Sequence, residues 1–82
     1  MVTLSERLIQ LKTENQMLQK DIAEGTELAL RTYQYYEKGE RIPDANVIIK
    51  LCRYFNVSSD YLLGLSDEPV ARRNDEPLAP TG

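Results

Sequence analysis

Residues 19–38 read QKDIAEGTELALRTYQYYEK. Apolar side chains recur in it at helical spacing, Ile22 and Ala23 in the first part and Tyr33 and Tyr36 in the second. Gly25 and Thr26 interrupt the pattern, so two short helices are expected, about 19–24 and 30–38, with only a few residues between them. Gly39 is well placed as the left-handed residue that ends the second of these helices, and Lys38 complements its C-terminal dipole. Ala23 is small where the two helices must approach closely. Ile22, Leu28, Tyr33 and Tyr36 supply the apolar surface that locks the angle between them.

Upstream, Thr3-Leu4-Ser5-Glu6 fits a capping box that opens a helix over about 4–14, with Leu4, Leu8 and Leu11 on one face. On the other side, residues 40–43 read as a loop. Asp44 then caps a fourth helix whose inward face is Ala45, Ile48, Leu51, Cys52 and Phe55, and Ser58 caps a fifth carrying Tyr61 and Leu62 before Gly64 ends it. No segment shows the sustained alternation of a strand, so the expected fold is all-α, a compact five-helix bundle over residues 4–66. Pro69, Pro77 and Pro80 crowd the end of the chain beside Arg72, Arg73, Asp75 and Glu76, and residues 67–82 read as a flexible, disordered tail. No internal repeat is visible.

Composition removes most chemistries. With 82 residues the chain holds one core, burying about 60% of the surface of its unfolded form. Hydrophobic residues at 41% and charged residues at 28% match an ordinary folded domain. The single Cys52 forms no internal disulfide, and in the absence of histidine no Cys/His zinc site and no His-based nucleophile pair can be assembled. There is no Gly-rich phosphate loop, and no cofactor, metal or small-molecule ligand is implied. Glu6 and Arg7 interrupt the start where a signal peptide needs an apolar stretch, and no apolar run approaches the ~20 residues of a membrane span, so a cytoplasmic protein without a membrane partner is expected. The net charge is −3; residues 1–66 hold eight basic and nine acidic side chains, residues 67–82 two and four. The basic footprint of a nucleic-acid binder is missing from this balance and has to be sought locally.

Residues 19–38 have the length of a helix-turn-helix unit, whose second helix enters the major groove, although a generic helix pair has the same spacing. The runs LSERLIQLK, QKDIAEGTELALRTYQYYEKGERIP and IIKLCRYFNVSSDYLLGLSDEP, together spanning residues 4–69, resemble the Cro and phage-repressor (XRE-type) helix-turn-helix family. Two parts are specific: Tyr36-Glu37-x-Gly39 with Pro43 four residues on, and Phe55-Asn56-Val57-Ser58 followed by Asp60-Tyr61-Leu62-Leu63-Gly64. The resemblance implies a lambda-repressor-like five-helix domain binding double-stranded DNA, commonly a homodimer on a palindromic operator, acting as a transcriptional regulator in bacteria or phages. Departures fall at the turn and the caps, where the family's Gly, Ser and Ser are replaced by Glu27, Leu18 and Ala29. Gly25, two residues early, is the expected source of the turn's backbone freedom.

Carried over position by position, the resemblance implies DNA contacts from Gln19, Leu30, Arg31, Thr32, Gln34, Tyr35, Lys38 and Arg41. Gln19 would grip a phosphate at the start of its helix. Arg31 is the strongest base-reading candidate, since Arg pairs bidentately with guanine, and Leu30 suits a thymine methyl or the edge of the core. Tyr35 suits a phosphate or a base face, with Thr32 and Gln34 beside it. Lys38 and Arg41 suit phosphates. Glu37 corresponds to the family's partner for a basic residue on the first helix, here Lys12, which would leave Arg31, Lys38 and Arg41 facing only Glu40. Phe55, Asn56, Val57 and Leu63 are the implied dimer contact, although apolar groups there also suit the monomer core. Cys52 reads as a buried inert thiol.

Two functions remain open at this level. One is a sequence-specific DNA-binding regulator acting as a repressor, and the other is a protein-interaction module of the same fold, an antirepressor or antitoxin-like partner, favoured by the acidic balance and the altered turn. An enzyme has no supporting motif.

Overall fold

The computed structural model describes residues 2–69. Five helices follow one another: α1 Leu4–Glu14, α2 Gln19–Gly25, α3 Leu30–Lys38, α4 Ala45–Phe55 and α5 Ser59–Leu62. Their starts are set by local hydrogen bonds. Thr3 Oγ1 accepts from the Glu6 amide at 3.1 Å while Glu6 returns its carboxylate to the Thr3 amide at 2.9 Å, closing the capping box. Asp44 and Ser58 accept from the Val47 and Tyr61 amides, each at 3.0 Å. At α2 no side chain on Leu18 can cap, but the Asp21 carboxylate accepts from the Leu18 amide at 3.1 Å, so half of the box survives. Ala29 gives α3 no side-chain cap.

Helices α1 and α2 both pack on α3, and α5 packs against α1 and α4. The core is Leu8, Leu11, Ile22, Ala23, Tyr33, Tyr36, Leu51, Tyr61 and Leu62, with Leu4, Leu28, Ile48, Cys52 and Phe55 packed on its margin. Ala45, expected on the inward face of α4, is exposed, because contacts with the core begin only at Val47 and Ile48. Burial raises the Cys52 thiol above its usual range, as an inert half-buried thiol requires. Among the described residues no helix is long and apolar enough to cross a membrane.

The turn between α2 and α3 differs from the expectation. Gly25 stays in α2, and Glu27 takes the left-handed conformation, φ +60°, in the place where the family uses glycine. Gly25 is needed for a different reason: a Cβ there would overlap the ring of Tyr54, which reaches across from α4. Thr26 closes the same corner, buried and donating its hydroxyl to the Ile22 carbonyl at 2.7 Å. Gly39 is left-handed at φ +78° and ends α3 as expected.

Arg7, a charged residue in the first helix, is buried against the α5 corner. Its Nε donates to the Tyr61 carbonyl at 2.8 Å and Nη2 to the Ser66 carbonyl at 3.3 Å, with the guanidinium 3.7 Å from the Tyr61 ring centre. Pro69 lies past the expected domain boundary, and its carbonyl accepts from the Ser58 amide at 2.8 Å. The part of the expected tail at 70–82 lies outside the described residues.

Candidate nucleic-acid interface

Helix α3 divides its residues between two faces. Tyr33, Tyr36 and Glu37 turn inward, and Leu30, Arg31, Gln34, Tyr35 and Lys38 occupy the remaining arc. Leu30, Arg31 and Lys38 are exposed, while Thr32, Gln34 and Tyr35 are half-buried. Leu30 is an apolar side chain 42% open to solvent at the head of the helix. Arg41, from the following loop, stacks over the Tyr35 ring at 4.8 Å from its centre, which ties the loop to the helix and brings two of the expected contacts together.

The inward Glu37 is the centre of a polar network. Its Oε1 accepts from Lys12 Nζ at 3.0 Å and from Gln19 Nε2 at 2.9 Å, and its Oε2 accepts from the Tyr33 hydroxyl at 2.8 Å. The Ser5 hydroxyl donates to the Glu37 backbone carbonyl, so α1 is joined to the end of α3 through backbone and side chain alike. Burial alone would push the Glu37 carboxyl up; the hydrogen bonds from Gln19, Tyr33 and Lys12, with the ammonium charge, outweigh it and hold the carboxyl below its usual range. Burial, followed by the bond to Glu37 and its charge, raises the Tyr33 hydroxyl, so that proton stays on Tyr33.

The expected pairing of Lys12 with Glu37 is therefore present. The pair also makes the surface of α3 more basic than the composition, because the one acid within α3 is internal and neutralised. Along α3 and the following loop Arg31, Lys38 and Arg41 then face solvent with Glu40 as the exposed acid. Asp21, Glu24 and Glu27 remain exposed on α2 and the turn, where Glu27 approaches Lys50 at 3.5 Å.

Gln19 stands at the start of α2 as expected, but its side chain is turned inward to Glu37, and its Oε1 accepts from Gln34 Nε2 at 2.9 Å. Nothing in the sequence pattern joins residues 15 positions apart in this way. Of the residues expected at a dimer contact, Phe55 and Val57 are half-buried on the margin of the core, whereas Asn56 and Leu63 are exposed. Asn56 ends α4 at φ +58°, a conformation Asn tolerates well.

Comparison with known proteins agrees with this geometry. A helix-turn-helix family model matches residues 8–62. The HTH-type transcriptional regulator ImmR of Bacillus subtilis is 35% identical over 77 residues, covering 94% of this chain and 59% of that protein. YobD, an uncharacterized HTH-type transcriptional regulator of the same organism, is 35% identical over 72 residues, covering 84% of this chain and 64% of its own length. The chain thus spans about three fifths of these relatives. Among solved structures, a transcriptional regulator from Listeria innocua superposes with a TM-score of 0.72 at 37% identity, over 93% of this chain and 68% of that one. The P22 c2 repressor, solved with a synthetic operator, shares the fold at a TM-score of 0.74 and 18% identity, over 80% of this chain and all of that one. With the family model matching residues 8–62 and regulators about 35% identical over most of its length, the chain belongs to the Cro and phage-repressor (XRE-type) helix-turn-helix family of transcriptional regulators.

Proposed function

We propose that the protein is a sequence-specific double-stranded DNA-binding regulator that represses by occupying an operator, working in the cytoplasm with α3 as the helix that enters the major groove. The observation that carries this reading is the division of α3: its acid is sequestered by Lys12, and its outward arc offers Arg31, Gln34 and Tyr35 together with Lys38 and Arg41 at the end. Arg31 specifies by pairing with a guanine, and Leu30, exposed at the head of the helix, meets a thymine methyl. Lys38 and Arg41 position the helix on phosphates, and Arg41 does so with its guanidinium already held over Tyr35. Thr32 is a secondary contact. Gln19 reaches the backbone through the start of α2, its side-chain amide being engaged by Glu37 and Gln34.

Two copies would bind a palindromic operator, their α3 helices in successive major grooves about 34–36 Å apart. Support for a homodimer contact at the α4–α5 corner comes from exposed Leu63 and Asn56, with Phe55 and Val57 already partly engaged by the monomer.

Titration of duplexes selected from a random pool, at several salt concentrations, tests the reading. Arg31→Ala is expected to cost about 1–3 kcal/mol on the selected duplex and to relax preference at one base position. Lys38→Ala and Arg41→Ala are expected to weaken every duplex alike and to lower the salt slope by about one unit each. Absence of salt-dependent duplex binding would transfer the assignment to a protein-interaction module of the same fold.

A further inference from the structure

We propose that Glu37 is a positioning residue for base readout, setting the amide orientation of Gln19 and through it that of Gln34, so that Gln34 faces the groove as a fixed acceptor–donor pair. The inference rests on the DNA-binding reading above and assigns to Gln34 a base type. It follows from hydrogen-bond polarity. A carboxylate accepts and does not donate, so the Gln19 amide can meet Glu37 Oε1 only through Nε2, at 2.9 Å. That choice turns Gln19 Oε1 outward. An oxygen facing Gln34 likewise admits only the Gln34 Nε2, again at 2.9 Å. The other donors on Glu37 cannot relax the constraint, because Lys12 Nζ at 3.0 Å is purely a donor and the Tyr33 hydroxyl spends its one proton on Oε2 at 2.8 Å.

A glutamine amide on a free helix surface has two nearly equivalent orientations that exchange oxygen for nitrogen. Here the buried carboxylate removes that degeneracy for two amides in series. Gln34 retains its Oε1 and one N–H, the acceptor and donor that a glutamine uses against adenine N6 and N7. The pair is half-buried and oriented before DNA arrives, which reduces the ordering cost at the moment of binding. The sequence separations, 18 residues from Gln19 to Glu37 and 15 from Gln19 to Gln34, keep this relay out of any local motif.

The full chain tests it in two ways. In selected duplexes, Gln34→Ala is expected to lower preference for adenine at one position by about tenfold. Gln19→Met, which keeps the length of the side chain and removes its hydrogen bonds, is expected to lower the same preference, with no further loss in the double variant. Preference, as a ratio between duplexes, is unaffected by any phosphate contact that Gln19 loses. Glu37→Met, which removes the acceptor at 37, is expected to reproduce the loss; if that variant does not fold, Gln19→Met and the amide signals decide. In the free protein, the side-chain amide nitrogen–proton signals of Gln34 are expected to shift in Gln19→Met. The proposal is overturned if those signals stay in place, or if duplexes are bound selectively and Gln34→Ala or Gln19→Met changes no base preference. If the wild-type chain binds no duplex, the readout role falls with the DNA-binding reading, and the amide signals still report separately whether the relay exists.

Discussion

Replacing Glu37 by Gln should test the network on which the α1–α3 contact depends, apart from any function. The carboxylate is almost fully buried and receives three side-chain donors, from Lys12, Gln19 and Tyr33. Hydrogen bonds to a charged group contribute about 1.5–3 kcal/mol each and neutral ones about 0.5–1.5, so loss of the charge removes roughly 1 kcal/mol per bond. Against this total of about 3 kcal/mol stands the relief of a buried charge, and Lys12, whose side chain is 24% exposed, can turn its ammonium toward water. A net loss of about 2 kcal/mol is expected, equivalent to a fall in Tm of roughly 10 °C for a domain of this size. Thermal unfolding followed by circular dichroism as a function of pH provides the assay. Because the folded carboxyl lies below its ordinary value of 4.5, the stabilisation is full above that pH and is lost as pH falls through the folded value. The gap between wild type and variant should therefore be widest at neutral pH and close below pH 4.5. A neutral-pH gap under about 3 °C, or one that stays constant into acid, would refute the assignment of Glu37 as the charged centre of the network.

Three further outcomes follow from the packing. Gly25→Ala gains about 1 kcal/mol of helix propensity but drives a methyl into the Tyr54 ring, so calorimetry should show a net loss of about 1 kcal/mol that Tyr54→Leu reverses. At the left-handed Glu27, Gly should lie within about 0.5 kcal/mol of wild type in denaturant titration, relief of strain offsetting unfolded-state entropy. A β-branched Val at the same position should cost about 1 kcal/mol or more. Arg7→Lys should cost about 1–2 kcal/mol by chemical denaturation, since a single ammonium cannot span the Tyr61 and Ser66 carbonyls while covering the Tyr61 ring; an unchanged midpoint would show that the fork geometry is dispensable.

What the sequence determined by itself is the part of the structure closed within a few residues. The bounds of α1 and α3, the caps at Thr3, Asp44 and Ser58, the left-handed Gly39 and the inward pair Tyr33 and Tyr36 each follow from hydrogen bonds or apolar spacing spanning one helical turn. The resemblance added one long-range element, the Lys12–Glu37 pair, which the structure contains. Tertiary structure decided the rest. Glycine at 25 reads locally as a flexible turn, but the ring of Tyr54, 29 positions on, makes it a packing residue and leaves the left-handed conformation to Glu27. Gln19 is expected from the resemblance to grip a phosphate at the start of α2, and the buried carboxylate of Glu37 draws its side chain inward. In the sequence Arg7 shows only its charge, whereas in the fold it is buried and donates to carbonyls 54 and 59 residues away. Local pattern records which groups a residue meets within its own turn; a buried polar group takes whatever partner the closed fold brings to it, because leaving it without one costs more than the contact itself gains.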